Sequence, residues 1–229
     1  MPIARPLTNL TVFDILSNLV PGTLLLGIIG LIFAVEQMIP LGVVSAAVGA
    51  LFGGYVAGHI LQAAGSLLFS EYDVGDAIVA FSHDERSNEG NPFSSISLGP
   101  TFTHLIKQRF NLPANYTDQN MMNRLIMAEL ERSSASRALR FQILSYFYRN
   151  MSVVAICGVI LSILSAGLFF CEISGTRHWL LTILLFITSI GTLPVFYIRM
   201  RQFNQRFVEY AIAEFYAIES DQKRPQFGG

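Results

Sequence analysis

The chain has 229 residues, 52% of them apolar and only 14% charged, with a mean hydropathy of +0.48. A soluble globular domain carries about 25% charged residues, and here the shortfall is concentrated in long charge-free stretches such as a bilayer selects for. A net charge of −1 without any basic run points away from nucleic acid as a partner.

In chain order, residues 11–18 read as a short amphipathic helix at the membrane interface. Thr11 and Asp14 have capping-box spacing, and Val12, Phe13, Ile15 and Leu16 supply an apolar side. Pro21-Gly22 then opens a first span at about 19–35. This run is long for a signal peptide's apolar region and no A-x-A-like site follows it, so a retained helix is expected. Residues 36–40 form a tight turn. The second span, about 41–69, holds no Asp, Glu, Lys or Arg; at 29 residues it would be about 43 Å long against a hydrocarbon core near 30 Å, so it must tilt or project.

Residues 82–100, rich in Ser, Asn, Gly and Pro, read as a loop. A short helix is expected at 101–110, stopped near Pro113. From 118 to 150 nothing breaks a helix, and one continuous segment is expected to feed the third span, about 151–170. Residues 171–178 turn into a fourth span, about 179–198, with Trp179 and Tyr197 at its ends. Residues 199–219 are again helical, with Phe203, Phe207, Tyr210 and Ala217 as a stripe, and Pro225 with Gly228-Gly229 ends the order. The expected fold is all-α: a polytopic membrane protein of four transmembrane helices with a cytoplasmic helical extension. It divides into an N-terminal hairpin region (1–70), a cytoplasmic loop region (71–117) and a C-terminal part (118–229) holding the long cytoplasmic helix, the second hairpin and a last cytoplasmic helix.

Fourteen of the fifteen Lys and Arg fall on one side of this topology, and the two short turns hold only Arg177. The positive-inside bias therefore places both termini and residues 70–150 in the cytoplasm, and sequons at Asn9, Asn115 and Asn150 on that side carry no meaning. Cys157 and Cys171 on one helix would lie roughly 21 Å apart, too far for a disulfide.

The strongest pattern lies in the second span. Ala46, Ala50, Gly54 and Gly58 form one ladder of small residues at four-residue spacing, and Ser45, Gly49, Gly53 and Ala57 form the adjacent one. Such ladders let helix backbones approach closely. Gly49, Gly53, Gly54 and Gly58 therefore mark either a subunit interface or packing on this chain's first helix, whose Gly27 and Gly30 are also small. Tyr55, His59 and Gln62 share a face of the same helix. An ionisable residue within a span suggests a polar path or ligand site, against which stands a histidine hydrogen-bonded across helices.

No H-E-x-x-H, G-x-S-x-G, Walker or G-x-G-x-x-G motif occurs, and no cofactor or metal is expected. Asp73, Asp76, His83, Asp84 and Glu85 match no calcium-loop spacing and read as a solvated connection.

Three segments, FDILSNLVPG (13–22), YVAGHILQ (55–62) and RFQILSYFYRN (140–150), resemble a loosely defined set of uncharacterised prokaryotic multi-pass membrane proteins. The resemblance implies a prokaryotic cell-membrane location and no established activity. The functional expectation is a non-enzymatic component that contacts the lipid bilayer, forms a homo-oligomer, and acts as a pore or as an anchor for a cytoplasmic protein partner. The alternative is a membrane-embedded enzyme acting on lipid or peptide, with His59 as acid or base beside Asp73 or Asp76.

Overall fold

A computed structural model describes residues 15–33, 43–69, 99–132, 136–170 and 179–223. Among these every regular element is helical. A single π-turn, Ile15–Leu19, runs into α1 (Val20–Phe33); α2 (Val43–Leu68), α3 (Gly99–Arg109), α4 (Gln119–Arg132), α5 (Arg137–Phe170) and α6 (Trp179–Lys223) follow. Among the described residues four segments are long and apolar enough to cross a membrane: Ile15–Ile32, Val48–Leu68, Arg137–Gly167 and Trp179–Ile218. The chain is thus an all-α polytopic protein. The expected turn at 36–40, the acidic group at 73–85, most of the 82–100 loop, the turn with Cys171 and Arg177, and the end of the tail lie outside the described residues.

Two expectations need correction. Residues 15–18 are not a separate interfacial helix, because the π-turn passes directly into α1. Pro21 does not interrupt it: the proline, which has no N–H to donate, stands where the π-turn hands over to α1. Nor is 118–150 one helix. Helix α4 ends at Arg132 and α5 begins at Arg137.

The chain forms two compact units. The first comprises Met1–Ser70 and Ile143–Arg201. In it the π-turn and α1 run along α2. Leu61, Val153 and Val154 are buried, with Leu25, Ile28, Ala64, Phe69 and Cys157 packed around them. Helices α5 and α6 meet through small and hydroxylated residues. Gly158 receives the Ser189 side chain, the Ser165 and Thr182 hydroxyls lie 3.1 Å apart, and Ser145 Oγ donates to the Met200 carbonyl at 3.4 Å. Between apolar helices in lipid, close approach and hydrogen bonds of this kind supply the association that water would otherwise drive.

The second unit comprises Glu71–Gln142 and Gln202–Gly229. Its core is built at helical spacing from Phe102 and Ile106 of α3, Met122, Ile126 and Leu130 of α4, Ala138 of α5, and Phe207, Val208, Ala211, Ile212 and Phe215 of α6. Phe102 meets Phe215 edge-on at 5.7 Å. Phe203 and Tyr210 flank Phe141, whereas Ala217 is exposed; the buried stripe of α6 is wider than the sequence pattern suggests. Helix α3 ends at Arg109, close to the expected end, and Asn111 just beyond it lies in the left-handed region with φ 51°. Leu112 N donates back to the Lys107 carbonyl at 2.8 Å, closing a Schellman-type cap. Asp118 Oδ1 accepts from Met121 N at 3.0 Å and caps the start of α4.

The start of α5 is set by a side chain from a distant part of the sequence. The Glu214 carboxylate accepts from Ser136 Oγ at 2.7 Å, Arg137 N at 2.6 Å and Ala138 N at 3.4 Å. Ser136 Oγ in turn accepts from Leu139 N at 3.3 Å. A carboxylate at the N-terminus of a helix satisfies orphan amides and meets the positive end of the macrodipole.

Candidate functional site

The first unit holds a buried polar junction where three elements meet. Helices α1 and α2 touch backbone to backbone. A Cβ on Gly22 would strike the Gly54 carbonyl, one on Gly54 would strike Thr23, and one on Gly58 would strike the main chain of Asn18. Of the expected ladder, Gly54 and Gly58 are therefore used inside the chain. Their counterpart on the first helix is Gly22, not Gly27 or Gly30, beside which no atom lies within 4 Å of an added Cβ.

This approach seats the π-turn deep in the unit. Ser17 and Asn18 are both fully buried. Asn150 of α5, also fully buried, donates from Nδ2 to the Ser17 carbonyl at 2.5 Å. The Asn150 Oδ1 and both side-chain polar atoms of Asn18 are buried without a hydrogen-bond partner among the described residues. The adjacent Arg149, 6% exposed, lays its side chain along Gly65 of α2 (Cγ and Nε 3.1 Å from an added Cβ). Its guanidinium lies 4.7 Å over the Tyr146 ring, a favourable place for a partly desolvated cation. A Cβ at Gly65 would press on this side chain, which would have to shift by a few tenths of an ångström.

A second polar feature faces outward. Tyr55 and His59 meet edge to face with ring centroids 4.5 Å apart, the preferred arrangement for two π systems. Both are exposed, Tyr55 at 42%. Gln62 is half-buried. Gly53 sits at the edge of the α1 contact, with Leu26 Cδ1 at 2.9 Å from an added Cβ, and Gly49 is exposed with nothing nearby. The structure thus separates the glycines that the sequence grouped: two inside, one at the margin, one outside.

Chemically, the junction offers carboxamides, hydroxyls and one guanidinium. No group of three His, Cys, Asp or Glu occurs among the described residues. The expected companions of His59, Asp73 and Asp76, lie outside them. Sequence reasoning missed Ser17, Asn18 and Asn150 as a set. The available signal was the polar pair Ser17-Asn18 ahead of the first apolar run and Arg149-Asn150 ahead of the third. All three segments quoted for the resemblance contribute to the junction, through Asn18 and Gly22, Gly58 and Leu61, and Arg149 and Asn150. No family model, curated protein or solved structure matches the chain, so the contacts alone connect these segments.

Proposed function

We propose that this chain is a non-enzymatic, self-associating component of a prokaryotic cell membrane, with its termini and second unit in the cytoplasm, where that unit anchors a protein partner. The observation that carries the reading is the outward exposure of Tyr55 and His59 on a helix apolar enough to span a bilayer. An imidazole facing lipid is costly, so this face favours a protein neighbour. The second unit supports an anchor over a pore, because it buries its aromatic residues in a core of its own and presents Arg124, Arg132, Arg137, Arg140 and Arg206 on its surface. The strong bias of basic residues to one side supports the orientation.

The test is the mass of the purified protein in detergent and in nanodiscs, with co-purifying proteins identified. A defined oligomer that retains a partner is expected. A strict monomer that retains none overturns the reading.

A further inference from the structure

Helix α6 leaves its apolar run through Tyr197-Ile198-Arg199-Met200-Arg201. Tyr197, 39% exposed, packs its ring on Phe69 just past the end of α2, with centroids 5.8 Å apart. Arg201 is exposed and stands one turn further along α6. An arginine at the end of a span ordinarily carries its charge outward into water. Here the guanidinium folds back over the Tyr197 ring instead, 5.9 Å from the centroid. Side chains on a helix lean towards its N-terminus, and at this end of α6 that direction leads into the span. The cation is thus held at the level of the aromatic belt. Among the described residues Arg201 forms no ion pair and no hydrogen bond. The described part of the first unit contains Arg149, Arg199 and Arg201 and not one Asp or Glu. Arg149 belongs to the same end of the unit: it lies along Gly65, whose carbonyl accepts from Phe69 N at 2.9 Å. That end of the first unit is therefore positive, and Arg201 is its outward-facing cation.

We propose that Arg201, backed by Tyr197, binds the headgroup phosphate of an anionic phospholipid. The inference requires only that α6 leaves a bilayer here, and stands apart from self-association and from any cytoplasmic partner. A guanidinium presents a planar fork of N–H donors that matches the oxygens of a phosphate. The Tyr197 ring takes the face of that plane and leaves its edge, where the donors point, to the ligand. Lipid phosphates lie at the depth where an aromatic belt sits, so the folded-back arginine meets them without lifting the lipid from the bilayer. Ile198, Pro194 and Ile190 continue the Arg201 side of α6 into the span and are all exposed, which gives the acyl chains an apolar surface below the headgroup. The preference for a net negative lipid comes from the charge balance. A zwitterionic headgroup brings its own ammonium to a site where Arg149 and Arg199 already add positive charge, whereas an anionic headgroup brings none.

The test is native mass spectrometry of the full chain, stripped of lipid in detergent and then offered phosphatidylglycerol and phosphatidylcholine with the same acyl chains in equal amounts. The wild type should retain phosphatidylglycerol in preference. Arg201→Gln should reduce that retention about fivefold, the effect of one basic residue at a lipid surface, and Arg201→Lys, which keeps the charge and loses the fork, should fall between. Arg124→Gln, which removes an exposed arginine of α4, should leave the preference intact. Equal retention of the two lipids by the wild type overturns the proposal, as does a preference that survives Arg201→Gln or is lost equally in Arg124→Gln. Displacement of the lipid by inorganic phosphate at matched concentration makes a free anion the ligand and overturns the lipid. Without lipid, the wild type and Arg201→Gln should melt together; a lower melting temperature for the variant would assign the arginine to a contact within the protein and overturn the site.

Discussion

Asn18 and Asn150 are both carboxamides at full burial, yet they differ in how their polar atoms are met. Asn150 holds the Ser17 carbonyl, and interhelical hydrogen bonds in membrane proteins are worth about 0.6 kcal/mol on average and at most about 1.7. Asn150→Ala should therefore lower the melting temperature in detergent modestly and measurably. Asn18 has no partner among the described residues, and an unmatched buried polar group costs about 1–3 kcal/mol. Asn18→Leu should leave the melting temperature unchanged or raise it; a drop like that of Asn150→Ala would show that a water or ligand meets the carboxamide. The glycines give a sharper contrast. A methyl at Gly58 meets main chain, which cannot swing aside, so Gly58→Ala should cost about 1–3 kcal/mol as overpacking does. Gly27→Ala enters open space and should stay within about 0.5 kcal/mol, as surface changes do. Equal melting points for the two variants would contradict the α1–α2 contact.

At the level of elements, the ends of the helices depend on particular caps. Asn111 occupies the position after α3 that glycine fills most easily. Asn111→Gly should be neutral or slightly stabilising, and Asn111→Val should cost about 1–2 kcal/mol for its left-handed backbone. Glu214→Ala should cost about 1–2 kcal/mol, the range for a lost N-cap, and speed hydrogen exchange at the amides of Arg137 and Ala138. Glu214→Gln should recover part of this, since one carboxamide oxygen still accepts. The same cap explains what was and was not legible in the sequence. The four spans stood out because each is a long run that the bilayer keeps nearly free of charge. The break before Arg137 did not, since residues 118–150 contain no proline or glycine and the group that caps α5 lies 77 residues from Arg137. The polar junction was hidden for the same reason. Ser17-Asn18 looks like an interfacial dipeptide until Gly22 and Gly58 let α1 and α2 close on it, and Asn150 looks like a surface sequon until its partner is known.

For the whole molecule, the division into two units makes the last part of α6 indispensable to one of them. Phe207, Val208, Ile212 and Phe215 lie in the core of the second unit with 4% exposure or less. Burying side chains of this size contributes about 1.5–3 kcal/mol each, so the four together supply roughly 6–12 kcal/mol. That approaches the roughly 5–15 kcal/mol by which a whole domain is stable. Ending the chain after Arg201 removes all four, and Glu214 with them. The buried residues of the first unit, Leu61, Val153 and Val154, are untouched by the cut, and the truncated chain keeps apolar segments in all four spans. It should therefore still insert, while α3 and α4 lose their packing. Limited trypsin digestion in detergent reads this directly, because Arg124 and Arg132 lie on α4. In the full chain these sites should be cut slowly, as helical backbone in a packed unit resists the protease. In the truncated chain they should be cut early, with fragments containing the spans surviving. Unchanged resistance at Arg124 and Arg132 would mean that α3 and α4 hold together without α6. If the second unit anchors a partner, as proposed, the same truncation should abolish co-purification of that partner while leaving the oligomeric mass of the spans unchanged.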